Sequence, residues 1–160
     1  MGVSGAGKTT VGRLLAARLD CEFLDADDFH PPGNVAKMAA GIALEDADRW
    51  PWLAQLNALL RAREARATSA VLACSALKQS YRDRLARAGD VRFFYLKGDR
   101  ATIAPRLAAR PGHYMPASLL DSQLATLEEP ADATVVDIRV PVAAQVAAIR
   151  TQLDVTPRTP

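Results

Sequence analysis

Gly2-Val3-Ser4-Gly5-Ala6-Gly7-Lys8-Thr9 fits the pattern G-x-x-x-x-G-K-[ST] and stands at the head of a 160-residue sequence. Glycines at these positions let the backbone curl so that its N–H groups face a polyphosphate. Lys8 then reaches the β- and γ-phosphates, and the Thr9 hydroxyl can ligate Mg²⁺. Gly2 through Thr10 are therefore the candidate nucleotide-binding residues, with Lys8 also a catalytic candidate and Thr9 a metal ligand. Just beyond, Val11, Leu14, Leu15 and Leu19 share one face of a helix over Lys8–Leu19, whose N-terminus points at the bound anion. A phosphate-binding loop normally follows a buried β-strand, and here only Met1 precedes it.

Away from the loop, short apolar runs alternate with longer helical patterns, the signature of an α/β fold with a parallel sheet and helices on both faces. The strand candidates are Glu22–Leu24, Ala70–Cys74, Val91–Leu96 and Thr134–Ile138. Trp52, Leu56, Leu59 and Leu60 mark one helix face, and Leu77, Tyr81 and Leu85 mark another. Asp99 caps a helix that Pro105 should kink or shorten. A further helix carries Leu119, Leu120, Gln123 and Leu127, and Pro141 opens the last one. The expectation is a single domain over residues 1–154 with a frayed tail at 155–160.

Composition narrows the function. Hydrophobic residues make up 49% and charged residues 24%, with a net charge of only +2. No basic stripe of the kind that tracks nucleic acid is present, and no apolar run approaches a membrane span. Cys21 and Cys74 share no close spacing, which reads as two reduced thiols of a cytoplasmic protein.

Ligands of open parallel sheets bind at the carboxyl ends of the strands. There Asp25 and Asp27 stand two apart, on the same side of an extended chain. Asp25 is assigned to the Mg²⁺ shell, through water, and Asp27 to the acceptor hydroxyl. Asp28 reads as a capping or surface residue. The His30-Pro31-Pro32-Gly33-Asn34 run predicts an ordered loop leading into a helix over Val35–Ala40, with His30 placed to contact substrate hydroxyls. Acids near a helix start, with Pro51 in the first turn, leave Arg49 a misplaced cation that suggests an anion such as a carboxylate. Lys78 and Arg82, spaced i and i+4, predict a pair on the cleft side of a helix.

At these residues the chain resembles bacterial gluconokinase. The resemblance runs through the phosphate loop, Asp25-Ala26-Asp27 with His30-Pro31, Asn34, Lys37-Met38, Gly41, Asp46, Asp48-Arg49 and Pro51-Trp52-Leu53. It continues through Cys74-Ser75-Ala76-Leu77-Lys78, Tyr81-Arg82-Asp83, Leu96-Lys97-Gly98, Arg106-Leu107, Arg110, Gly112-His113, Gln123 and Thr126 to Pro130. It implies a shikimate-kinase-like P-loop fold, ATP and Mg²⁺, phosphorylation of gluconate at its 6-hydroxyl, and a homodimer. It also implies a mobile lid at about Arg106–Leu120. Arg106 and Arg110 would there meet the nucleotide and the transferring phosphoryl group, and His113 the substrate. Departures are few: Ala26 and Ala43 replace a glycine and a proline, and Pro105 falls in the helix feeding the lid.

In the fold so implied, the strand before the loop is central, flanked by Ala70–Cys74 and Val91–Leu96. Without it about ten backbone groups on those neighbours lose partners. The expectation is that the natural chain starts upstream and that Met1 is an internal methionine. Competing expectations are another small acceptor such as shikimate or a nucleoside monophosphate, or a truncated nucleotide-binding protein without activity.

Overall fold

In the computed structural model, which describes residues 1–109 and 119–155, the four expected strands each form over four residues. The elements in chain order are α1 (Lys8–Leu19), β1 (Glu22–Asp25), a 3₁₀ turn (Ala26–Phe29), α2 (Pro32–Ala39), α3 (Asp46–Glu64), β2 (Ala70–Ala73), α4 (Gln79–Ala86), β3 (Phe94–Lys97), α5 (Arg100–Ala108), α6 (Leu119–Thr126), β4 (Thr134–Asp137) and α7 (Val142–Val155). β1 pairs parallel with β2, from Glu22 opposite Ala70 to Asp25 opposite Ala73. β3 pairs parallel with β4, from Phe94 opposite Thr134 to Lys97 opposite Asp137.

Among the described residues no strand joins β2 to β3, so the sheet consists of two halves. Met1 and Gly2 are the link between them. The Met1 amino group donates to the Phe94 carbonyl (2.5 Å), and the Leu96 N–H donates to the Met1 carbonyl (2.9 Å). This reciprocal pair is a parallel bridge to Tyr95. On the other side the Gly2 N–H donates to the Ser75 carbonyl at 3.2 Å. The expected parallel sheet lacking its central strand is what the chain forms.

Two apolar clusters lie on the two faces of the sheet, and each draws on both halves. One gathers Val11, Leu15, Leu96, Ile103, Val136 and Ile149 beneath α1, α5 and α7. The other gathers Trp52, Leu53, Leu56, Cys74, Tyr81 and Leu85 where α3 and α4 cover the opposite face. Burial pushes the Cys74 thiol up to about 12, so it is an inert core residue.

Several boundaries differ from the sequence reading, β3 covering Phe94–Lys97 rather than Val91–Leu96 among them, and three helix boundaries have a local reason. α2 begins at Pro32 rather than Val35, because a proline in the first turn forfeits only an N–H that the helix leaves unpaired. α3 begins at Asp46, where the Glu45 N–H donates back to the Asp48 carboxylate (2.9 Å), so Pro51 lies beyond the first turn. α5 runs past Pro105 to Ala108, its start fixed by the Thr102 N–H donating to Asp99 at 2.7 Å.

Candidate active site

The phosphate loop leaves the Met1 bridge and wraps over the N-terminus of α1. Gly2, Gly5 and Gly7 hold φ of +142°, +80° and +93°, conformations that side chains rarely adopt. At Gly5 a Cβ would also lie 2.8 Å from Leu107 Cγ and 2.9 Å from Ile103 Cγ2, so only glycine lets α5 sit against the loop. Val3 and Ala6 are buried and anchor the loop, whereas Thr10 is exposed on the first turn of α1. Lys8 Nζ donates to the Val3 carbonyl at 3.0 Å, folding across the loop it is placed to serve.

The carboxylates converge on this loop from the end of β1. Thr9 Oγ1 donates to Asp25 Oδ2 at 2.8 Å, while the other Asp25 oxygen accepts from the Asp27 N–H at 3.3 Å. That second bond caps the 3₁₀ turn. Asp27 is thus carried by a turn rather than by the extended strand expected from the sequence, and it still reaches the cleft. It lines that cleft with Ser4, Lys8, His30, Arg49 and Gln123. Asp28 is exposed. A hydroxyl beside a single carboxylate is a hard-oxygen donor set with room for water and phosphate, which fits Mg²⁺. Among the described residues no group of three or more His, Cys, Asp or Glu forms a closed metal cage.

The far wall of the cleft is built on α3. His30 stacks on Trp52 with ring centroids 4.2 Å apart, and Trp52 Nε1 donates to the Ala26 carbonyl at 2.8 Å. Burial holds the His30 pKa below its ordinary value, against the pull of Asp27 and with the push of Arg49. The buried Asn34 donates to the Asp48 carbonyl at 2.9 Å, and its amide lies 3.4 Å from His30 Nδ1. Arg49 donates to two neutral oxygens, the Leu44 carbonyl (2.5 Å) and the Tyr81 hydroxyl (3.4 Å). Its guanidinium lies 5.5 Å from the centre of the Tyr81 ring.

Beside it, Asp46 accepts from Lys78 Nζ at 2.8 Å and from the Tyr81 hydroxyl at 2.5 Å. Hydrogen bonds from Lys78 and Tyr81 hold the Asp46 carboxyl below the usual range. Lys78 is the N-cap of α4, not a residue on its face, and its ammonium is committed to Asp46. Arg82 departs further from expectation. It is 1% exposed, and it donates to the Ala76 and Leu77 carbonyls (3.0 and 3.1 Å) and to Gln79 Oε1. It braces the turn between β2 and α4 and does not line the cleft.

Arg106 donates to the Ile138 carbonyl at 2.9 Å, tying α5 to the end of β4. Arg110, His113 and most of the expected lid lie outside the described residues. Two contributors escaped the residue-by-residue reading. Gln123 on α6 accepts from the Ser4 N–H at 2.7 Å, joining that helix to the phosphate loop. Its signal in the sequence is a polar residue on the face of Leu119 and Leu120. Tyr81 reads only as a core position, yet its hydroxyl organises Asp46 and Arg49.

A glycine-rich loop at a helix N-terminus, a Thr–Asp pair suited to Mg²⁺ and a second carboxylate lining one cleft with two cations define a P-loop kinase. The family profile described as an AAA domain matches residues 1–130. The gluconokinase of Gluconobacter oxydans is 53% identical over 134 residues, covering 82% of this chain and 75% of that protein. The chain belongs to the gluconokinase family. Among solved structures, a sugar kinase from Janibacter superposes with a TM-score of 0.91 at 46% identity, over 98% of this chain and 93% of that one. A gluconokinase from Sinorhizobium meliloti does so with a TM-score of 0.83 at 40% identity, over 99% and 95%.

Proposed function

We propose that this protein transfers the γ-phosphoryl group of ATP to the 6-hydroxyl of D-gluconate, giving ADP and 6-phosphogluconate for further breakdown. The observation that carries the reading is Asp27 lining one cleft together with Lys8 of the phosphate loop and Arg49. Asp27 orients the acceptor hydroxyl and accepts its proton as the oxygen attacks phosphorus, the work a positioned carboxylate does in phosphoryl transfer. Lys8 leaves the Val3 carbonyl for the β- and γ-phosphate oxygens, and the loop N–H groups hold the same charge without reorganising. Mg²⁺, held by Thr9 and through water by Asp25, would neutralise charge on those oxygens.

Arg49 supplies what a sugar acid needs at its other end. Its donors rest on neutral oxygens, which a carboxylate replaces with a stronger, charge-assisted pair. His30, kept neutral by burial, offers a hydrogen bond to the polyol chain. Lys78 borders this end through Asp46. On sequence grounds the proposal keeps Arg106 and Arg110 for the nucleotide and the transferring group, and His113 for the substrate. It also includes a lid over about 106–120 that excludes water, and a cytoplasmic homodimer. Among the described residues no helix is long and apolar enough to cross a membrane.

The test is ADP release from Mg-ATP with gluconate, shikimate and a nucleoside monophosphate as alternative acceptors. Release with gluconate alone is expected. Faster release with either other acceptor would overturn the assignment.

A further inference from the structure

Asn34 and Lys37, one turn apart on α2, both reach the same residue of α3. Lys37 Nζ pairs with the Asp48 carboxylate at 2.7 Å, and the Asn34 side-chain amide donates to the Asp48 carbonyl at 2.9 Å. The second bond decides which way the amide points. A carbonyl oxygen only accepts, so the NH₂ group of Asn34 must face it; the reversed amide would set two oxygens against each other. The same nitrogen lies 3.4 Å from His30 Nδ1. One of its hydrogens goes to Asp48, and the other faces the ring. Nδ1 is therefore an acceptor with no proton of its own, and the proton of the neutral ring sits on Nε2.

The ring has little freedom to answer otherwise. Trp52 stacks on it with centroids 4.2 Å apart and planes 14° from parallel, and Trp52 is itself tied to the Ala26 carbonyl. Asn34 is buried, so no exposed rotamer competes. His30 lines the cleft with Asp27, Arg49 and Lys8. Its Nε2 has no partner among the described residues, yet it is open to the cleft: the one buried, unpartnered side-chain polar atom among them is Gln145 Oε1. The surrounding charges leave the ring neutral. Asp27 of the 3₁₀ turn favours a charged ring and Arg49 of α3 opposes it, while burial holds the pKa below its ordinary value. Lys37 and Asp48 are paired with each other, and Lys8 donates to the Val3 carbonyl. A second proton would also have to enter at Nδ1, directly against the Asn34 N–H.

We propose that Asn34 is a positioning residue: it locks His30 as the Nε2–H tautomer, so that the ring presents one fixed hydrogen-bond donor to the acceptor molecule. This rests on the reading of the cleft as the acceptor site. A fixed donor selects a ligand with an oxygen lone pair at that point, such as a hydroxyl, and rejects one that presents an N–H or an ammonium there. It also divides the work in the cleft. A ring whose lone pair is already taken by Asn34 cannot receive the hydroxyl proton, which leaves that task to Asp27.

The test is long-range ¹H–¹⁵N NMR of the histidine rings in the full, ¹⁵N-labelled chain, with His30 identified by the signals lost in His30→Gln. Neither ATP nor gluconate is present, so the outcome is independent of the kinase reading. The expected spectrum at neutral pH shows a single tautomer, protonated at Nε2 and not at Nδ1. A mixture of tautomers, as in a free imidazole, or a proton on Nδ1 would overturn the proposal. Asn34→Asp replaces the donor with a carboxylate acceptor, so it should move the proton to Nδ1 and raise the His30 pKa above the wild-type value. An unchanged tautomer in that folded variant would equally overturn the lock; where the variant does not fold, the wild-type spectrum still decides. A kinetic arm uses Asn34→Ala, which frees the ring without adding charge. KM for gluconate should rise about fivefold with kcat within about threefold, and an unchanged KM would overturn the donor's role. Failure of the wild-type chain to phosphorylate gluconate would strike the kinase reading and leave the lock to the spectrum.

Discussion

Lys8 spans the loop to the Val3 carbonyl, a bond that a phosphate oxygen would replace. Lys8→Met should lower kcat by about a hundredfold or more and leave stability within about 0.5 kcal/mol, measured by initial rates and urea unfolding. Arg82 makes the opposite prediction. Arg82→Met leaves the Ala76 and Leu77 carbonyls without their buried donor, and such groups cost about 1–3 kcal/mol each. Its stability should fall while KM for gluconate, measured below the unfolding transition, stays unchanged; a raised KM with normal stability would restore it to the binding site. His30 gives a pH dependence. Its folded pKa lies below the ordinary 6.5, so the unfolded chain takes up the proton first as pH falls. Its contribution is complete above about pH 6.5 and is lost as pH falls through the lowered value, and His30→Gln should flatten that limb of a stability–pH curve. The residue scale was legible where the chemistry is local, as in the loop and Asp25. It misled at Arg82, because an arginine's usual exposure gives no warning that two backbone carbonyls claim it.

Among the elements, the strands and helix faces followed from periodicity, and the loop–α1 unit from its motif. Starts and turns did not, because side chains there compete for backbone groups in ways alternation does not encode. Asp25 caps a 3₁₀ turn that carries Asp27 away from the strand direction, and a backbone–Asp48 bond starts α3 earlier than its prolines suggest. The contact between the loop and α5 is tight enough to test. Gly5→Ala places a methyl against Leu107 and Ile103 in a left-handed backbone, and it should cost about 2 kcal/mol or more and raise KM for ATP. An unchanged urea midpoint would show that α5 moves freely from the loop. The tie from Gln123 to Ser4 was visible only as a polar residue on an apolar face, since its partner lies 119 residues away.

For the whole molecule, the sequence implied both the α/β layering and the gap in its centre, because a phosphate loop needs a strand that residues 1–160 do not place before it. It did not reveal that Met1 and Gly2 would bond one to each half. Among the described residues no strand ladder joins β2 to β3, so heat should unfold the two halves as overlapping units, with a calorimetric enthalpy exceeding the van't Hoff value. A single transition with equal enthalpies would show that α1, which touches both, couples them fully.

The most direct test of the central claim is the ³¹P NMR spectrum of the product formed from Mg-ATP and gluconate. The account predicts a phosphomonoester at the 6-position accumulating in step with ADP. ADP with inorganic phosphate alone, or a phosphate ester at another carbon, would contradict it.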